Sequence, residues 1–190
     1  TVAVSTGIPS SELQLINGSG LGKDNQISPR AVCAMFMAIH RILRPGKFTV
    51  ADVFPVAGRD KGTIRRRQLP ADTVVKTGSL QGVSTLGGVI MTRKYGPVWF
   101  ALLNQGNDLW EFRTQQDEFL QRLLQSWGAL ETPPEDFAPT LTEAEKKRDD
   151  LLVPPSPYTA KVATAKVVPS LVTALPISSK KKRDEAPAIS

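Results

Sequence analysis

Lys76-Thr77-Gly78-Ser79 places an ammonium group, two hydroxyls and a residue without a side chain at four consecutive positions. An ammonium and hydroxyls that emerge together from a strand edge suit a carboxylate, which accepts several charge-assisted hydrogen bonds. Gly78 leaves the backbone uncovered, so that a ligand can approach closely. A free backbone N–H near Ser79 would then stabilise the oxyanion of an acyl-transfer intermediate. Other chemistries are excluded by composition. Cys33 is the single cysteine, which rules out an internal disulfide framework and a zinc site built on several thiolates. His40 is the single histidine, which rules out two-histidine metal sites and leaves little room for a serine–histidine–aspartate hydrolase. No cofactor and no metal are called for.

These residues must be held by a folded part of a 190-residue chain. All 14 glycines lie in residues 1–130, and that part carries the whole net charge of +6. Residues 131–190 are Pro-rich, and their charges balance. The division predicts a core-forming region over 1–130 and a Pro-rich, charged, largely disordered tail over 131–190. A short charged helix is expected over Glu143 to Asp150, and the Lys180-Lys181-Lys182-Arg183 cluster would be a solvated run or a docking arm for an anionic surface. The longest wholly apolar run, Ala31 to Ile39, has 9 residues, against about 20 needed to cross a bilayer.

Ser28-Pro29 is a helix start, because serine caps free amides and proline suits the first helical position. The following run to Leu43 is apolar nearly all round, which predicts a helix buried in the middle of a domain. A shorter helix is expected at Thr49 to Phe54. Gly58 to Arg67 reads as a turn-rich basic loop with Asp60 as its anchor. Strands are expected at Thr73 to Lys76, Thr85 to Thr92 and Val98 to Leu103, the last two forming a hairpin across Arg93 to Pro97. Asp108 and Glu111 have capping-box spacing for a final helix. In that helix Phe112, Phe119, Leu120, Leu123, Leu124 and Trp127 make an apolar stripe that Gly128 ends. Trp99 and Trp110 read as core. The fold class is α+β, an antiparallel sheet with covering helices.

Four motifs in order carry a resemblance. Lys76 to Val83, followed by Leu86-Gly-Gly-Val89, resembles the third active-site motif of the penicillin-binding enzymes. Asn17-Gly-Ser-Gly-Leu21, with Asn25 and Ser28-Pro29, resembles the segment before a buried helix in the low-molecular-mass D-alanyl-D-alanine carboxypeptidase/endopeptidase family. Phe54 to Gly58, with Asp60 and Gly62-Thr63, is similar to that family's loop before the Lys-Thr-Gly strand. The resemblance runs from about Leu13 to Trp127 and implies part of a serine β-lactamase/penicillin-binding transpeptidase-like fold. It departs at Gly22-Lys23, where the family usually has Ser-Arg.

The resemblance implies that Lys76 supplies positive charge beside the reacting hydroxyls. Thr77 or Ser79 would bind the carboxylate of a peptidoglycan stem peptide ending in D-Ala-D-Ala, and the Ser79 backbone N–H would serve the oxyanion hole. Gly78 belongs to the same wall, and Asn17 and Ser19 are further candidates for substrate contact. This chemistry also uses Ser-x-x-Lys and Ser-x-Asn elements. No Ser-x-Asn occurs, and Ser-x-x-Lys occurs only at Ser178 to Lys181 and Ser179 to Lys182, where a solvated lysine would stay protonated. The family places both elements before Gly-Ser-Gly-Leu. The chain, which begins at Thr1, is therefore expected to be the C-terminal portion of a larger enzyme of the bacterial periplasm or cell envelope. Its partner would be the missing N-terminal portion, and β-lactams would react only with that portion present. Two alternatives stand beside this: a catalytically inactive cell-wall binding or partner module, and a basic nucleic-acid-binding domain built on Arg65-Arg66-Arg67. No nucleic-acid motif accompanies those arginines, and no nucleic acid is expected.

Overall fold

The computed structural model describes residues 7–18, 20, 24–60 and 62–142. At their N-terminal end β1 (Leu13–Gln14) pairs antiparallel with β2 (Gln26–Ile27). Helix α1 (Pro29–Leu43) follows, and a single turn, α2 (Val50–Val53), comes after it. Three strands, β3 (Val74–Leu80), β4 (Val83–Thr92) and β5 (Gly96–Gln105), form an antiparallel meander with β4 in the centre. Helix α3 (Leu109–Trp127) completes the set. The order and the α+β class agree with the sequence reading.

The meander separates two apolar layers. On one face Val74, Val89 and Met91 pack with Val50 and Ala51, and with Ile39 and Leu43 of α1. On the other, Val75, Leu86, Ile90 and Phe100 pack with Ile64 and with Leu120 of α3. Successive strand residues point to opposite faces, so neighbouring Val74 and Val75 serve different layers. The sheet is apolar on both sides for that reason.

Local chemistry sets the element ends. The Ser28 side chain accepts a hydrogen bond from the Ala31 amide at 3.0 Å, and Pro29 opens the helix. Thr49 caps α2, and Asp52 returns a carboxylate to the Thr49 amide at 2.7 Å, a reciprocal capping box. Asp108 accepts from the Glu111 amide at 2.9 Å. The β4–β5 turn is tighter than expected, because Gly96 adopts φ 67° and belongs to β5. Thr92 closes it, accepting from the Tyr95 amide at 3.1 Å and donating to the Gly96 carbonyl at 3.0 Å.

Several expectations need correction. Helix α1 is not buried all round: Ala31, Phe36 and Ala38 are buried, and Ile42 is 51% exposed. The helix packs on β4, β5 and α2, and an apolar sequence does not supply partners for its other side. In α3, Phe119 is exposed although its spacing put it in the apolar stripe, and Leu120 is the residue fully buried. Trp110 is 70% exposed, so only Trp99 of the two reads correctly as part of the core. Strand β3 runs to Leu80 rather than Lys76, since β4 supplies a pairing partner at every position as far as Val83.

Packing also continues past Leu130. Ala129 bridges to Thr92, Phe137 is buried beside His40 and Trp99, and Asp52 accepts hydrogen bonds from the Thr140 and Leu141 amides. The segment to Thr142 thus lies against the core, although composition alone placed the boundary at 130. The expected helix at Glu143 to Asp150 and the lysine-rich cluster lie outside the described residues.

Candidate active site

The Lys-Thr-Gly-Ser tetrapeptide lies inside β3 rather than at its end, and this settles how its side chains divide. Lys76 pairs with Gly87 and Ser79 with Ser84 of β4. Alternation turns Thr77 and Ser79 to the face covered by α3 and turns Lys76 to the face covered by α1. The lysine and the hydroxyls share one strand edge but do not emerge on one side of it. The Thr77 hydroxyl meets the Thr63 hydroxyl at 3.1 Å, and the Ser79 hydroxyl accepts from Arg113 Nη2 at 3.0 Å. Lys76 folds back so that its Nζ donates to the Thr77 carbonyl at 2.5 Å.

The backbone of this edge has a readable direction. β3 is the outer strand of the meander. Its beginning is covered on the outer side by residues 55–57: the Ala57 amide donates to the Thr73 carbonyl, and the Val75 amide to the Pro55 carbonyl, both at 2.9 Å. In an antiparallel ladder, alternate residues direct both backbone groups to the same side. Thr73 and Val75 face outward, so Thr77 and Ser79 do as well, beyond the point where residues 55–57 stop. Their N–H and C=O groups border an open edge.

Two hollows flank that edge. The larger, about 870 Å³, is lined by Thr63, Arg65 to Gln68, Lys76, Thr77, Ser79 and the α3 residues Trp110, Arg113, Asp117 and Glu118. The smaller, about 130 Å³, lies on the α1 side among Ile27, Val32, Phe36, Lys76, Thr77 and Gly87. Gly87 is required there, because a Cβ would stand 2.9 Å from Val32 Cγ1 and 3.0 Å from Phe36 Cε2. Gly78 is likewise constrained: its Cβ would fall 2.4 Å from Thr85 Oγ1. Neither hollow is lined by Asn17, whose side chain accepts from Asn25 Nδ2 at 3.2 Å. Ser19 lies outside the described residues, as do the Ser-x-x-Lys pairs at 178–182.

The basic loop is divided in its roles. Arg67 is buried with Asp117, their side chains 7% and 9% exposed, at 2.7 Å. Asp117 also accepts from the Gln68 amide at 2.8 Å, so this pair fastens the loop to α3. Arg59 pairs with Asp72 at 2.9 Å. Asp60 anchors the loop as expected, accepting from the Val56 amide at 2.6 Å. Arg65 and Arg66 are exposed, which leaves a smaller basic patch than the sequence run implied for a nucleic-acid surface. Sequence reasoning missed Arg113 and Trp110, which reach the cleft from a helix some thirty residues further on.

The chain is similar to known proteins in both sequence and fold. The chain is 31% identical over 108 residues to the carboxypeptidase DacB of Mycolicibacterium smegmatis, covering 53% of this chain and 23% of that protein. It is 32% identical over 98 residues to the D-alanyl-D-alanine carboxypeptidase DacB of Haemophilus influenzae, covering 48% and 20%. The chain thus spans about a fifth of the length of these curated relatives. Among solved structures, the fold matches a penicillin G-acylated predatory endopeptidase from Bdellovibrio bacteriovorus in complex with an immunity protein. That match has a TM-score of 0.62 at 22% identity and covers 70% of this chain and 39% of the other. Penicillin-binding protein 4 of Haemophilus influenzae matches with a TM-score of 0.50 at 27% identity, covering 62% and 30%. The family model for the D-Ala-D-Ala carboxypeptidase 3 (S13) family matches residues 2–125, a span that includes the β3 edge and most of α3, and the chain belongs to that family.

Proposed function

We propose that this chain supplies the carboxylate-gripping and oxyanion side of a serine-type D-Ala-D-Ala peptidase that acts on peptidoglycan stem peptides in the cell envelope. The attacking serine comes from a segment outside these residues. The observation that carries the reading is the open β3 edge, with outward backbone groups at Thr77 and Ser79 and a lysine between the two hollows. In the reaction the serine attacks the penultimate carbonyl, D-alanine leaves, and water hydrolyses the acyl-enzyme. The Ser79 N–H donates to the oxyanion, a donor whose loss typically costs about 3 kcal/mol of transition-state stabilisation. Thr77 and Ser79 hold the terminal carboxylate, and Lys76 adds positive charge where the proton is exchanged.

D-alanine release and penicillin labelling test this together. The purified chain should release no D-alanine from an acyl-D-Ala-D-Ala peptide and gain no penicilloyl mass. Adding a polypeptide that carries the Ser-x-x-Lys and Ser-x-Asn elements should restore both activities, and Lys76→Ala should remove them again. Release by the chain alone would overturn the assignment of the nucleophile to another segment. A complemented chain that binds the cell wall yet stays inactive would favour the binding-module reading.

A further inference from the structure

We propose that Arg113 is a specificity-determining residue of the cleft, selecting ligands that bring a carboxylate to the β3 edge. This rests on the reading of that edge as a peptide-binding wall. Arg113 is one turn into α3, where the Asp108 cap fixes the start of the helix. The residue is half-buried, and its guanidinium lines the cleft and donates to Ser79 Oγ at 3.0 Å in an exposed hydrogen bond. The nearby carboxylates are engaged elsewhere: Asp117 by Arg67 and the Gln68 amide, Glu118 by Arg122. Among the described residues no carboxylate pairs with Arg113.

A guanidinium carries five N–H donors, and a neutral hydroxyl compensates none of its charge. A cation without a carboxylate partner in that position favours an incoming anion, and its planar fork matches a carboxylate. Ser79 adds direction. Because its oxygen accepts from Arg113, its own hydroxyl proton is left to donate at the open edge. The pair therefore offers at least two donors to the edge, which the two oxygens of a carboxylate can accept together, whereas a carboxamide brings one acceptor oxygen and an NH₂. Arg65, Arg66 and Lys76 line the same cleft and add positive potential of the same sign.

Titration of the full chain with Nα,Nε-diacetyl-L-Lys-D-Ala-D-Ala and with its C-terminal amide, at low ionic strength, provides the test. The unsubstituted chain should prefer the acid by about tenfold. Arg113→Gln should bring acid and amide to within about twofold of each other, the acid losing most of the difference. Arg113→Met, which keeps the aliphatic stem against the helix, carries the same expectation if Arg113→Gln fails to fold. A folded variant that retains the full acid preference overturns the role of Arg113 and leaves the peptide-binding wall standing. Equal binding of acid and amide by the unsubstituted chain does the same. Binding of neither peptide removes the wall and the inference together.

Discussion

Gly87 stands opposite Lys76 with two side chains of α1 within 3.0 Å of where its Cβ would be. Gly87→Ala must push Val32 or Phe36 aside, and overpacking of this kind costs about 1–3 kcal/mol. A urea melt should show that loss. Arg67 and Asp117 make a sharper case, since both are buried and each would leave the other uncompensated. Asp117→Ala should cost about 3–5 kcal/mol and free the basic loop from α3, read as a fall in the denaturation midpoint. These residues also show what the sequence could and could not reveal. Lys76, Thr77 and Ser79 were legible because their chemistry is local to one tetrapeptide. Arg65, Arg66 and Arg67 look alike in sequence, and only Asp117, 50 residues away, makes Arg67 structural. Arg113 was illegible for the same reason, since the helical stripe marks apolar positions and not the polar residue that will meet Ser79.

Helix α1 shows how element-scale reasoning succeeds at an end and falters along a face. Its cap was readable, and Ser28 does more than cap: it accepts from Ala31 and donates to Glu12 at 2.7 Å. Ser28→Ala should lower stability by about 1 kcal/mol from the lost cap, measured by chemical denaturation. Near the other end of α1, His40 stacks on Phe137 with ring centroids 4.6 Å apart, and its Nδ1 is buried without a hydrogen-bond partner. Burial holds its pKa below the usual value, against the attraction of Asp136 and with the repulsion of Arg44 and Arg41. Below about pH 6.5 the unfolded chain takes up this proton before the folded one does. Stability from His40 is thus full above that pH and is lost as pH falls towards the folded value. His40→Phe should flatten that part of the pH–stability curve; an unchanged slope would remove His40 as its source. In β3 the sequence stopped short at Lys76, because a Lys-Thr-Gly-Ser run has little intrinsic strand preference. Pairing with β4 decides its length.

Across the molecule, packing against the core continues past the boundary that composition set at Leu130. Phe137 belongs to the core through its contact with His40, and the exposed Thr140 is tied to the buried Asp52 by hydrogen bonds, neither of which a local pattern encodes. Helix α1 leaves Ile42 half exposed, and β3 leaves an edge open. Such surfaces favour association, so the purified chain should be oligomeric, marginally stable or dependent on a partner. Light scattering coupled to gel filtration checks this, and a monodisperse monomer that melts cooperatively above roughly 60 °C would contradict it. The measurement that bears most directly on function is a ¹H–¹⁵N titration of the labelled chain with a D-Ala-D-Ala peptide. The amide signals of Thr77 and Ser79 should move first and furthest, since those groups border the open edge. Shifts that cluster elsewhere, or an unresponsive β3, would contradict the account.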